Sequence, residues 1–111
     1  MKDVTLITYP AADMAKAKQF FGELTGTDPY ADSPYYVGYK SGNVEIGLVP
    51  SQGASAIAFW NVSDIAASVK ALVDAGGTVV QDPTDVANGL LVATVKEPSG
   101  TVVGLRQFPK N

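Results

Sequence analysis

Histidine and cysteine are both absent from this sequence of 111 residues. The lack of cysteine rules out disulfides and thiol chemistry, and it is typical of a protein from a reducing cytoplasm. Without either residue, no Ser-His or Cys-His nucleophile can form. Imidazole and thiolate, two of the usual donors to zinc and iron, are missing as well. These absences exclude several catalytic classes before any motif is considered.

Long apolar runs and clusters of basic residues are lacking too. No stretch approaches the roughly 18 apolar residues that a membrane-spanning helix needs. The apolar run at residues 4–9 is short and β-branched, which indicates a strand and not a signal peptide. The net charge is −3 and the pI is about 4.6, which argues against nucleic acid and anionic membranes as partners. We therefore expect one cytoplasmic domain, residues 1–111, with no nucleic-acid or membrane partner.

Two stretches share one design, in which a strand leads through an aspartate into an amphipathic helix that stops at glycine. Asp13 and Asp64 can each accept hydrogen bonds from the free N–H groups of a first helical turn. Apolar residues recur after each aspartate at helical spacing. Gly26 and the pair Gly76-Gly77 are suited to end the two helices.

Strand and turn signals fill the rest of the chain in the same order. Residues 35–40 and 43–49 predict a hairpin, as do residues 90–95 and 101–108 around a turn at 97–100. Further strands are predicted at 55–62 and 78–81, with loops at 28–34, 50–53 and 82–89; the first loop has room for a short edge strand at most. The result is two βαβββ modules, at about 1–50 and 54–111.

Three segments carry a family resemblance. Residues 9–21 run from a strand end through Asp13 into a helix with an aromatic pair, and residues 58–65 form an aromatic-x-Val-x-Asp-hydrophobic element. Residues 97–105 contain an acid-Pro-x-Gly turn before a strand that ends in Gly104-Leu105. In this order and spacing, the segments resemble the vicinal oxygen chelate superfamily, which comprises glyoxalases, bleomycin-resistance proteins and extradiol dioxygenases.

The resemblance implies an α+β fold in which two βαβββ modules form one curved mixed sheet around a cup, with the helices on the outer face. Metal-dependent members place His, Glu or Gln at four equivalent strand positions in the cup. Here those positions fall on Leu6, Gly47, Ile57 and Gly104, which have no donor side chain. We therefore expect no metal and no cofactor, and a protein that is not a metal-dependent glyoxalase or dioxygenase.

Strand alternation extends the cup face beyond these four positions. The ligand-binding candidates on this face are Leu6, Thr8, Glu45, Gly47, Ile57, Phe59, Asn61, Gly104 and Arg106. The opposite parity is nearly all apolar, as expected for a surface beneath two helices. Trp60 has that parity, so it is predicted to be a core aromatic.

Several candidates have two interpretations. Glu45 and Arg106 can orient a ligand that has an anionic or carbonyl group, or they can form a solvated ion pair at the rim. Gly47 and Gly104 can leave room for a ligand, or they can only ease strand curvature. Four tyrosines around the first hairpin can provide a stacking wall, or they can fill core and dimer contacts; they are Tyr30, Tyr35, Tyr36 and Tyr39.

Three functional hypotheses follow. The first is a metal-free small-molecule binding protein, similar to the drug-sequestering members of the family, which binds a planar organic compound or antibiotic as a homodimer. The second is an enzyme of the lyase, isomerase or dioxygenase type that uses Glu45 as a base and Arg106 to stabilise negative charge. The third is an accessory interaction protein whose cup is vestigial.

Overall fold

The computed structural model describes residues 3–50 and 55–109. Its elements are β1 (Asp3–Pro10), α1 (Met14–Thr25), β2 (Ala31–Asp32), β3 (Val37–Ser41), β4 (Val44–Val49), β5 (Ile57–Asn61), α2 (Ile65–Asp74), β6 (Thr78–Ala87), β7 (Leu90–Lys96) and β8 (Val102–Gln107). The chain divides into a first unit, Thr5–Ala58, and a second unit, Phe59–Asn111 with Met1–Val4. From Ser51 on, the predicted connector at 50–53 lies outside the described residues.

A four-stranded mixed sheet and one helix make up the first unit. The strand order is β2-β3-β4-β1, in which β1 is parallel to β4 and the other neighbours are antiparallel. Val37 and Leu48 are fully buried in the core of this unit. Partly buried residues of the strands and of α1 pack around them, namely Tyr9, Met14, Ala17, Phe21 and Ile46. Burial of this apolar surface is the main favourable term in folding.

The second unit repeats the arrangement. Its strand order is β5-β8-β7-β6, with β5 parallel to β8 and the other neighbours antiparallel. Its core consists of Val62, Ile65, Val69, Ala93, Val95 and Leu105, with Leu72, Val79, Leu91 and Val103 packed against them. The predicted α+β fold of two βαβββ modules is confirmed.

Both helices begin at the predicted aspartates. Asp13 accepts a hydrogen bond from the N–H of Lys16 at 3.1 Å, and Asp64 accepts one from Ala67 at 3.0 Å. Each cap contributes about 1 kcal/mol to helix stability. Helix α1 ends at Gly26, whose φ of 68° lies in the left-handed region that favours glycine. Neither helix in the described part of the chain has the length and apolar character needed to cross a membrane.

The predicted loop at residues 82–89 is wrong over most of its length. Strand β6 continues to Ala87 and pairs with β7, although the pairing shifts register along the way. Pro83 is tolerated there because β6 is the last strand in the order of its unit. Only Asn88 and Gly89, with φ of 50° and 93°, form the turn. Asp82 and Asp85 therefore lie in a strand and not in a turn.

The prediction that Trp60 is a core aromatic is also wrong. Trp60 is paired with Leu105 of β8 and shares its face of the sheet. Leu105 is buried in the core, whereas Trp60 remains 38% exposed. The apolar parity of the strand is correct, but α2 covers the indole only in part.

Candidate functional site

Two neighbouring glycines lie on one face of the sheet of the first unit. Gly38 on β3 is paired with Gly47 on β4, which is in turn paired with Thr8 on β1. A Cβ atom at Gly38 would lie 2.6 Å from the ring of Tyr30, and one at Gly47 would lie 2.6 Å from the hydroxyl of Tyr36. The two aromatic side chains therefore rest on the strand backbone, in space that only glycine leaves open.

Glu45 is the acidic residue next to these rings. It is paired with Leu6 and accepts a short hydrogen bond from the hydroxyl of Tyr30. Burial and this hydrogen bond raise the pKa of the Tyr30 phenol above its usual range. The Nζ atom of Lys40 lies 5.0 Å from the centroid of the Tyr30 ring, within reach of a cation–π interaction. A carboxylate, a phenol and an ammonium group thus meet around one exposed ring.

In the second unit, an aromatic ring also covers a glycine. Phe59 on β5 is paired with Gly104 on β8, and the Phe59 ring occupies the space where a Cβ of Gly104 would lie. Two residues further on, Asn61 is paired with Arg106. Arg106 is only 6% exposed, and its guanidinium carbon lies 5.0 Å from the centroid of the Phe108 ring. A buried guanidinium held in this way offers a planar set of donors suited to a carboxylate or carbonyl.

The predicted site residues differ in burial and register. Those that are buried are Leu6, Thr8, Gly47, Phe59, Gly104 and Arg106, and those partly buried are Glu45, Ile57 and Asn61. Within the units, pairing brings together Leu6 with Glu45, Thr8 with Gly47, Phe59 with Gly104, and Asn61 with Arg106. Glu45 precedes Gly47 by two positions, whereas Arg106 follows Gly104 by two, so the two charges are not at equivalent places in the copies.

The four tyrosines do not act as one wall. Tyr39 is 1% exposed in the core and donates its hydroxyl to the carbonyl of Lys18 at 3.0 Å. Tyr35 is 79% exposed, and only Tyr30 and Tyr36 lie over glycines. The contact between Tyr30 and Glu45 was not predicted from the sequence. The paired glycines Gly38 and Gly47 did indicate that an aromatic ring could lie on this hairpin, because glycine leaves room for a ring.

A transition metal does not fit the four positions that the family uses for ligands. Leu6, Gly47, Ile57 and Gly104 have no donor side chain, and aromatic side chains of the same unit cover both glycines. Within residues 3–50 and 55–109, no three Asp, Glu, His or Cys side chains come together as a metal site would require.

Comparison with known proteins agrees with this fold. Residues 4–105 match the family described as the Glyoxalase/Bleomycin resistance protein/Dioxygenase superfamily. A hypothetical protein from Bacillus halodurans C-125 has a TM-score of 0.79 at 13% identity, with 99% of this chain and 96% of that chain covered. Methylmalonyl-CoA epimerase from Mycobacterium tuberculosis has a TM-score of 0.75 at 12% identity, with coverage of 96% and 88%.

A superfamily member from Vibrio splendidus 12B01 is similar as well, with a TM-score of 0.74 at 16% identity and coverage of 96% and 98%. At such identities, the structural likeness shows the fold alone. No curated protein sequence matches significantly. The family match covers nearly the whole chain and confirms the resemblance seen in its motifs. The chain belongs to the Glyoxalase/Bleomycin resistance protein/Dioxygenase superfamily.

Proposed function

We propose that this protein binds a planar organic molecule without a metal, as a small-molecule binding protein of the bleomycin-resistance type. The observation that carries the proposal is that aromatic side chains cover glycines at two of the metal-ligand positions. Tyr36 covers Gly47, and Phe59 covers Gly104. Mainly apolar and aromatic surfaces with a few polar groups are typical of small-molecule sites. Aromatic contacts add about 0.5–1.5 kcal/mol beyond the area that they bury.

Charged groups beside the rings define the chemistry of the proposed ligand. Lys40 lies over the ring of Tyr30, and Arg106 lies beside the ring of Phe108. Cations next to aromatic surfaces favour a flat molecule that carries a carboxylate, phenolate or carbonyl group. An aromatic antibiotic with such a group is one candidate. In the first unit, Thr8 is paired with Gly47, and in the second unit, Asn61 is paired with Arg106; each adds a hydrogen-bonding group on the face of its own unit.

A thermal-shift screen of planar acids, phenols and quinones tests the proposal. A ligand at about 100 times its dissociation constant should raise the free energy of unfolding by roughly 2.7 kcal/mol. For a domain of this size, the melting temperature should rise by on the order of ten degrees. Affinities of the hits are then measured by calorimetry on the parent and on variants that remain folded.

Two conservative variants assign the site. Arg106→Lys keeps the charge but loses the planar donor set, so it should weaken the binding of anionic hits about tenfold or more. Phe59→Leu removes the ring with a smaller loss of buried volume than alanine would cause, and it should also weaken binding. Lys70→Ala is the control, because Lys70 is an exposed residue of α2 whose Nζ pairs with Asp74. Hits that bind both variants as tightly as the parent would contradict the assignment.

Enzymatic use of Glu45 has less support than binding. Its carboxylate accepts a hydrogen bond from the Tyr30 hydroxyl, so one of its oxygens is already engaged within the protein. We expect hits to leave the protein with unchanged mass after long incubation, as measured by mass spectrometry. Turnover that Glu45→Gln abolishes while binding persists would establish an enzyme instead. Failure of every compound to stabilise the fold would favour an accessory protein with a vestigial cup.

We further propose that the protein is a homodimer. Phe20 and Leu24 lie one helical turn apart on α1 and are 63% and 67% exposed, an apolar patch of the kind found at protein contacts. An outer strand such as β6 also has one edge without a neighbouring strand in the sheet, and proteins usually cover such an edge or pair it with another chain. Sedimentation at micromolar concentration should give about twice the chain mass of 11.6 kDa. A monomer at every concentration would contradict this proposal.

A further inference from the structure

An open cavity of about 270 Å³ lies beside Trp60 in the second unit. It lies between α2, β5, β8 and the turn that follows β7, and its walls are Trp60, Ser68, Leu72, Glu97, Val103 and Leu105. A smaller pocket of about 80 Å³ shares Leu72, Glu97 and Val103. Most of the wall surface is apolar, and Glu97 is the charged residue among the lining residues.

The first unit shows why this cavity exists. Tyr9 there and Trp60 here occupy the same register position beside a parallel strand. In the first unit, the ring of Phe21 packs on Tyr9 with the centroids 4.9 Å apart. At the same spacing from its capping aspartate, α2 carries Leu72, which has no ring to place against Trp60. The second copy thus lacks one aromatic ring of the packing, and the indole stays partly exposed.

Glu97 places a negative charge at the rim of the cavity. Its Oε1 atom accepts a hydrogen bond from the N–H of Thr101 at 3.1 Å. A glutamate is charged at neutral pH, and backbone N–H groups of Thr101 and Ser99 hold the pKa of Glu97 further below its usual range. A carboxylate accepts about four hydrogen bonds in all, which leaves capacity for another donor. Both this carboxylate and the face of an indole attract cations.

We propose that this cavity is a second binding site, for a small aryl-alkyl ammonium compound. The aryl ring of the ligand takes the place that Phe21 fills in the first unit, between Trp60 and Leu72. Its ammonium group contacts the carboxylate of Glu97. The site lies on the helix-covered side of the sheet and uses none of the residues assigned to the planar acidic ligand above.

Fluorescence provides a direct test, because Trp60 is the sole tryptophan of the chain. Phenethylammonium, which does not absorb at the red edge of the indole band, is titrated into the full-length protein. We expect a saturable change in Trp60 emission. Phenethyl alcohol, the neutral analogue, should bind about two- to fivefold more weakly because it lacks the ion pair. Phenylacetate should bind more weakly still, since its charge is repelled.

Two variants make the test specific. Glu97→Gln can still accept from Thr101 and should weaken phenethylammonium about two- to fivefold, while Glu23→Gln on the exposed surface of α1 should have no effect. Leu72→Phe restores the ring of the first unit, and it should abolish the fluorescence response without lowering the melting temperature. Equal affinity of parent, Glu97→Gln and Leu72→Phe, or preference for phenylacetate, would overturn the proposal.

A second copy of the chain is the competing occupant. In that case Trp60 emission would shift with protein concentration in the absence of amine, and Leu72→Phe would change the sedimentation coefficient. Either result, together with no response to phenethylammonium, would overturn the ligand site.

Discussion

Replacing Phe59 with alanine is expected to lower the free energy of unfolding by about 3–5 kcal/mol. The Phe59 side chain is 8% exposed, and its ring covers the backbone at Gly104. Its loss therefore removes buried apolar surface and leaves a cavity above a strand that has no side chain of its own there. Urea denaturation followed by circular dichroism measures the change. Tyr35→Ala is the matched control, because Tyr35 is an aromatic residue that is 79% exposed, and it should cost far less.

A double-mutant cycle isolates the contact between Phe59 and Gly104. In the parent, Gly104→Ala directs a methyl group into the Phe59 ring and should cost about 1–3 kcal/mol. In the Phe59→Ala background, the same methyl group enters vacated space, so its cost should fall to near zero or change sign. Equal costs in both backgrounds would contradict the packing of this ring on this glycine.

Leu48→Ala should lower the free energy of unfolding by about 2–5 kcal/mol. Leu48 is fully buried at the centre of the first core, where it is paired with Tyr9 on one side and Val37 on the other. Because both neighbouring strands fix the backbone, the surrounding residues can collapse only in part into the space left by the side chain. The same urea titration measures the loss.

Val73→Ala is the control for that experiment, since Val73 is 43% exposed on α2 and alanine is a strong helix former. We expect its free energy of unfolding to stay within about 0.5 kcal/mol of the parent. If Leu48→Ala were as mild as Val73→Ala, the assignment of Leu48 to the core would be wrong.

These two predictions concern different faces of the two units. In the first unit, Leu48 lies on the face that packs with α1. In the second unit, Phe59 lies on the face that carries the proposed ligand-binding residues. Phe59 therefore has a structural role as well as a proposed binding role. For this reason, Phe59→Leu and not Phe59→Ala is the variant of choice for affinity measurements.

Signals confined to a few neighbouring residues predicted their structures well. Asp13 and Asp64 cap the two helices as expected, because a cap depends only on a side chain and the N–H groups three residues away. Gly26 and Gly100 adopt the positive φ angles that their turns require.

Strand β6 shows where local signals failed. Its polar residues and Pro83 are typical of a loop, yet the segment pairs with β7 as far as Ala87. An outer strand needs only one partner and can expose polar side chains, and register shifts accommodate residues that a regular ladder would reject. The length of β6 is set by its pairing with β7. A prediction made from the residues of β6 alone does not include that partner.

The sequence by itself determined the two βαβββ copies, their capped helices, the alternation of strand faces and the absence of imidazole and thiolate ligands. Only the tertiary structure decided which aromatic ring occupies which space. Tyr39 enters the core while Tyr30 and Tyr36 lie on glycines, and Trp60 stays exposed because Leu72 replaces the ring of Phe21. Alternation along a strand fixes the face of a side chain, but the space above that face depends on residues brought in from other elements.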